Sequence, residues 1–293
     1  MQRTKRHHYV ADWYLKGFAD PEAEEKIWVY DRARGGCFQT HTINAAVETD
    51  FYLLEGGLKP SSLEDFFAEI EGYAKLISPR LVDGLPLTSA EREQFTFFLA
   101  LALTRVPHFR RFAEEIQKRI EELATDPTAF ELAVGDRISW LPVSIEEVRE
   151  YQLSATHRRQ RRQNIKLVTV RQARWCAPII MQMSWTILRA LQSEVFVTSD
   201  NPFIYLDSSV SLGEYHGKKA GAGLLQPRVR AFFPLDKNTV LQLTWGTSTI
   251  EYQQADQQRV QAINEEIIRG ATRFVYASVH SPELQDIIEN SIG

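Results

Sequence analysis

The sequence predicts an α+β fold, with an antiparallel or mixed sheet drawn from the N- and C-terminal segments around a central helical block. Three observations carry that expectation. Short aromatic and β-branched runs bounded by turn residues lie before residue 58 and after residue 194. Between them, apolar residues recur at spacings of three and four, the period of a half-buried helix. Strands therefore group at the two ends of the chain and do not alternate with helices. The whole chain, 1–293, reads as one integrated domain: 1–58 short strands, 61–192 helical, 194–280 strands plus a helix.

Taken in order, Asp12 to Phe18 predicts a short helix with Trp13, Tyr14 and Phe18 facing inward. Lys26–Asp31 and Cys37–Thr40 flank Arg32-Ala-Arg-Gly-Gly36, which predicts a hairpin. Ser61 or Ser62 caps a helix whose Leu63, Phe66, Phe67, Ile70, Tyr73 and Ile77 form one apolar face. Ser89, with Glu91 and Glu93, opens another helix that runs through Leu103 and breaks at Thr104-Arg-Val-Pro107. A charged helix follows from about Phe109 to Leu123, and another starts at Ser144 and extends toward Lys166. Val168 to Leu191 reads as a buried helix kinked at Pro178. Strands are expected at 194–197, 229–235, 239–245 and 274–277, with a helix over 256–268. The glycine-bearing stretch Gly213–Gly223 predicts a loop able to cover a pocket.

Composition narrows the function classes. The net charge of −4 argues against a chain that coats nucleic acid over its whole surface, but leaves room for a local basic face. Two cysteines, Cys37 and Cys176, supply neither a disulfide scaffold nor a cysteine zinc site, so a cytoplasmic location is the expectation. No stretch reaches the roughly 18 apolar residues of a membrane span. Phosphate-binding glycine loops, the dinucleotide fingerprint, His-Glu-x-x-His and Gly-x-Ser-x-Gly are all missing from the sequence.

Five groups of residues carry possible chemistry, each against a plainer reading. Thr198-Ser-Asp-Asn-Pro202 ends an apolar run, and Pro202 restrains Asn201 so that Asp200 is aimed by the backbone. The plainer reading is an Asx-turn satisfying local amides. His7 and His8 alternate on an extended segment, so one of them enters a given pocket; otherwise the segment is a solvated basic tail. Glu64, Asp65, Glu69 and Glu71 share one helix, with Glu71 beside its apolar stripe, or else form a solvated face. Arg105, emerging from an apolar helix, needs an anion, either a ligand or a carboxylate of the fold. Arg158, Arg159, Arg161, Arg162 and Lys166 suit a phosphate backbone, or a solvated helix that balances the acidic remainder.

The blocks also resemble a known family. His8-Tyr-Val-Ala-Asp-Trp-Tyr-Leu-Lys-Gly-Phe18 is similar to the signature H-Y-V-P-x-x-Y-L-x-x-F, which opens a widespread, mostly bacterial family known as domain of unknown function 4238. Ile27–Arg32, Asp50-Phe-Tyr52, Arg105-Val-Pro107, Phe196–Pro202 and Phe233-Pro-Leu235 resemble its later blocks in order, to about Tyr276. Ala11 stands where the pattern has Pro. The resemblance implies one α+β domain and no reaction. It also implies that His8, Asp31, Asp50, Arg105, Asp200 and Asn201 belong to recurring motifs.

Two functions are consistent with these residues. The first is a nuclease-like phosphodiester hydrolase, in a defence or stress role. In a pocket of His8, Asp200, Asn201 and Arg105, His8 would be the base, Arg105 would hold the phosphate, and Asp200 would orient His8 or, with Glu71, bind Mg²⁺ or Mn²⁺. The second is a non-catalytic module that binds nucleic acid or another ligand through Arg105, Asn201 and the basic helix 158–166.

Overall fold

The computed structural model describes residues 6–20, 22–49, 61–125, 155–191, 194–207 and 223–290, with side chains for these except 61–64, 116–117, 119–125 and 155–168. Asp50, the loop to residue 222 and the helix start at Ser144 lie outside the described residues.

β1 (Arg6–His8) pairs antiparallel with β4 (Val47–Thr49). α1 (Asp12–Leu15) continues into a 3₁₀ turn, Lys16–Phe18, burying Tyr14, Leu15 and Phe18. The expected hairpin forms from β2 (Lys26–Asp31) and β3 (Cys37–His41), with Tyr30 opposite Cys37. Gly35 and Gly36 take positive φ at its turn, a conformation other residues adopt at a cost. α2 (Ser61–Asp83), α3 (Ser89–Thr104) and α4 (Pro107–Thr125) follow. Thr88, one residue before the Ser expected to cap it, closes the N-terminus of α3 through a reciprocal capping box with Glu91. α3 stops at Arg105, and Pro107 begins α4.

α5 (Ala155–Gln182) packs chiefly on α3 and contains Pro178. The helix expected to reach Leu191 ends earlier. Arg92 donates to the carbonyls of Met181 and Met183 at its end, and the chain turns into β5 (Ser184–Ala190). β5 is covered on both faces, so its apolar run lacks the alternation that separates strand from helix.

Two further sheets complete the fold. One is mixed, in the order β10-β5-β9-β8-β7, with β10 parallel to β5 and the other pairs antiparallel. It comprises β7 (Ile204–Asp207), β8 (Val229–Asp236), β9 (Thr239–Thr244) and β10 (Ile250–Ala255) with β5. The other is antiparallel, in the order β3-β2-β11-β6, and joins both chain ends: β11 (Phe274–Ala277) pairs with β2 on one side and β6 (Thr198–Ser199) on the other. The single sheet expected is thus divided into three. Residues 194–197 are not a strand. The Phe196 amide donates to the Lys237 carbonyl, and the Val197 amide donates to Asn264 Oδ1, leaving Thr198 and Ser199 for the ladder.

Alternate residues of the mixed sheet sort into two cores. Trp185, Ile187, Phe233, Leu241 and Leu243 pack with α1, α2, α3 and α5. Leu188, Phe232 and Val240 pack with α6 (Gln257–Gly270), α7 (Pro282–Asn290) and the joined sheet. Among the described residues, no helix is long and apolar enough to cross a membrane.

Candidate functional site

The Thr198–Pro202 segment closes on a loop some seventy residues later in the chain. Asp200 Oδ1 accepts the Thr272 amide at 2.7 Å, and Oδ2 accepts those of Arg273 at 2.8 Å and Phe274 at 3.0 Å. Asn201 Nδ2 donates to the Gly270 carbonyl at 2.9 Å, while its Oδ1 is buried without a partner among the described residues. Ser199 Oγ bonds both the amide and the carbonyl of Asn201. From the other side, Asp31 takes Arg273 bidentately at 3.0 and 2.6 Å, and Arg32 donates to the carbonyls of Arg269 and Ala271. The corner between α6 and β11 is therefore gripped from two places in the chain. Burial pushes the Asp200 carboxyl up to about 6, against the pull of the three amides. Asp31 moves the other way: its hydrogen bond from Arg273 holds it below the usual carboxylate range. Both Asp200 oxygens and Asn201 Nδ2 are satisfied across the fold by backbone groups of 270–274, so the segment is more than a local Asx-turn, and Asp200 is not an open ligand.

Arg105 ends α3 almost fully buried, with Nη1 2.5 Å from Glu71 Oε1 and the guanidinium over Phe67 at 5.1 Å. Of the acidic residues on α2, Glu71 is thus committed, while Asp65 and Glu69 face solvent. His7 is buried and His8 half-buried, so the pair belongs to a docked strand and is not a free tail. His8 Nε2 lies 3.1 Å from the Ile43 carbonyl, which can only accept, so Nε2 carries the proton and Nδ1 the lone pair. Burial lowers the His8 pKa, with Asp12 and Glu71 opposing and Arg105 assisting.

A narrow crevice of about 10 Å³, room for about one water and partly open to solvent, lies beside Arg105. Tyr9, Val10, Ala11 and Tyr14 line it from the N-terminal segment, Phe98, Leu101, Ala102 and Arg105 from α3, and Pro202 and Phe233 from the sheet side. The structure thus brings Arg105, Glu71 and His8 to one corner, and places Pro202, which follows Asn201, on the same cleft. Asp200 is not among the lining residues, and its charge is felt at Tyr9, which is, and at buried Tyr276. It makes no hydrogen bond or ion pair with His8, Arg105 or Glu71 among the described residues. Of the two carboxylates expected to share a metal ion, Asp200 is held by backbone amides and Glu71 by Arg105. Among the described residues no group of three or more His, Cys, Asp or Glu is arranged to hold a metal.

The model of the protein family of unknown function DUF4238 matches residues 6–281, nearly the whole chain. The chain belongs to this family. No curated protein and no solved structure matches it. In this DUF4238 chain, the blocks around Asp31 and Asp200 are the two grips on the 269–274 corner. Sequence reasoning missed Arg273 and Tyr276, which no motif flags. They matter because β11 lies between β2 and β6.

Arg158, Arg159, Arg161, Arg162 and Lys166 lie on α5, as the expected helix required, with side chains outside the described set.

Proposed function

We propose that the protein is a nucleic-acid-binding module that uses the basic residues of α5. The charge of that helix carries the reading. Its 28 residues include Arg158, Arg159, Arg161, Arg162, Lys166, Arg171 and Arg174 and no Asp or Glu, in a chain whose net charge is −4. Such segregation concentrates positive potential on one element, and phosphate contacts with release of counterions follow from it. Arg105, neutralised by Glu71, serves as a wall of the cleft and not as its phosphate clamp. Asn201 serves as a brace on Gly270.

A phosphodiester hydrolase is the second reading, favoured by His8 alone. A half-buried imidazole with its tautomer fixed and its pKa lowered presents a neutral base at pH 7. Mg²⁺ or Mn²⁺ chemistry would require Asp200 or Glu71 to exchange a present partner for the ion. A nuclease role in defence depends on this reading.

One experiment separates the two. The protein is incubated with single- and double-stranded DNA and RNA across a salt series, with Mg²⁺, Mn²⁺ or chelator. Retention that weakens steeply with salt, without cleavage, is expected. Cleavage that disappears in His8→Gln would establish the hydrolase instead. Neither retention nor cleavage would remove both readings.

A further inference from the structure

The C-terminal half of α5 sorts its residues cleanly. Ala173, Cys176 and Ile180 are buried in the core, whereas Arg171, Arg174, Trp175 and Pro178 are exposed. Positions 171 and 175, and 174 and 178, are each one turn apart, so these four share the outer face. Trp175 is 60% exposed, the most exposed aromatic side chain among the described residues. An indole left in water between two arginines costs hydration and contributes nothing to the core, whose packing here comes from the opposite face. Flat aromatic surface beside guanidinium groups is what unpaired bases stack on, with phosphates alongside. Duplex DNA offers phosphates but keeps its bases stacked inside, so it uses the arginines and not the indole.

We infer that Trp175 is a base-stacking residue and that single-stranded nucleic acid is the form this helix binds, with Arg171 and Arg174 on its phosphates. The inference rests on the nucleic-acid reading above and adds the strand form and the contact residue. Charge complementarity selects the occupant, since this outer face carries Arg171 and Arg174 and the 28 residues of the helix include no Asp or Glu.

The test uses the full chain with an oligothymidylate and a duplex of equal length. Trp175→Ala should weaken oligothymidylate binding by about tenfold or more, with Trp175→Phe retaining most of it and duplex binding unchanged. The double variant Arg171→Gln/Arg174→Gln should make the single-strand salt slope shallower by about 1.4. All three variants should keep the wild-type Tm, because the side chains lie outside the core. Wild-type affinity in Trp175→Ala, with duplex and single strand bound alike, would overturn the inference while leaving nucleic-acid binding intact. No retention by the wild type would overturn both. A homodimer in sedimentation that Trp175→Ala dissolves would show that the face belongs to a second copy.

Discussion

Replacing Asp200 tests the clasp directly, and the side chain chosen decides what is measured. Asp200→Ala leaves the amides of Thr272, Arg273 and Phe274 without their acceptor. At about 1–3 kcal/mol for each stranded donor, less about 3 kcal/mol for the burial penalty that leaves with the charge, the loss should be about 3 kcal/mol at pH 7.5. Asp200→Asn keeps the shape. Its oxygen can take the place of Oδ2, which serves two amides, while its NH₂ group meets the Thr272 amide donor to donor. That costs about 1–3 kcal/mol, but it also removes a carboxylate that burial holds at a pKa of about 6, against 3.8 in water. About two pKa units correspond to about 3 kcal/mol of penalty on the charged form. At pH 7.5 the two contributions nearly cancel, and Asp200→Asn should lie within about 2 kcal/mol of wild type.

The pH dependence fixes the sign. A carboxyl raised in the folded state binds its proton more tightly there than in the unfolded chain. Its stabilising contribution is full below about 3.8 and is lost as pH rises through about 6. Wild type should therefore gain about 2.4 kcal/mol over Asp200→Asn between pH 7.5 and pH 4. His8 and His108, both lowered chiefly by burial, act oppositely: their contributions are lost as pH falls below 6.5. They are common to both proteins and cancel in the difference. The assay is urea denaturation of both across that range, with equal m-values required. A gap that widens as pH rises would show that the three amides outweigh burial, and a near-neutral Asp200→Ala would refute the clasp itself.

Two further outcomes follow from the packing. Arg105→Ala strands Glu71 beside the core and should cost about 3–5 kcal/mol in urea, an effect a wild-type midpoint would contradict. Gly270→Ala would place a methyl 2.6 Å from Ile204 Cγ2, so a loss of about 1–3 kcal/mol is expected in thermal melts, and an unchanged Tm would show that Ile204 yields freely.

The parts legible in the sequence are those where one physical cause dominates. Glycines at the turn predict the β2–β3 hairpin, Pro107 predicts the break after α3, and an arginine leaving an apolar helix predicts an anionic partner, which the structure supplies as Glu71. β5 was hidden because a strand buried on both faces carries no alternation, and the end of α5 is set by Arg92, which lies far away in the chain. β10, with Glu251, Tyr252, Gln253 and Gln254 exposed on a sheet edge, is too polar to stand out. For the candidate site, the sequence identifies the residues but not their partners. Asp200 reads equally well as a ligand or a brace until the amides of 272–274 are seen opposite it.

That ambiguity bears on where function should be sought in this family. A short polar run at a strand end is a suitable catalytic loop only if its side chains reach solvent or a pocket. Asp200 and Asn201 reach backbone instead, and the Asp31–Arg32 block reaches the same corner from the neighbouring strand. Both blocks are explained by the need to fix the turn from α6 into β11, because β11 holds the two chain ends in one sheet. The atoms committed to that task, Asp200's two oxygens and Asn201 Nδ2 among them, are poor candidates for binding a ligand, since each new contact there would release a buried donor or acceptor. The exposed cations and the indole of α5 carry no such obligation. Substituting them should change binding without changing the fold, whereas substituting the clasp should change the fold first.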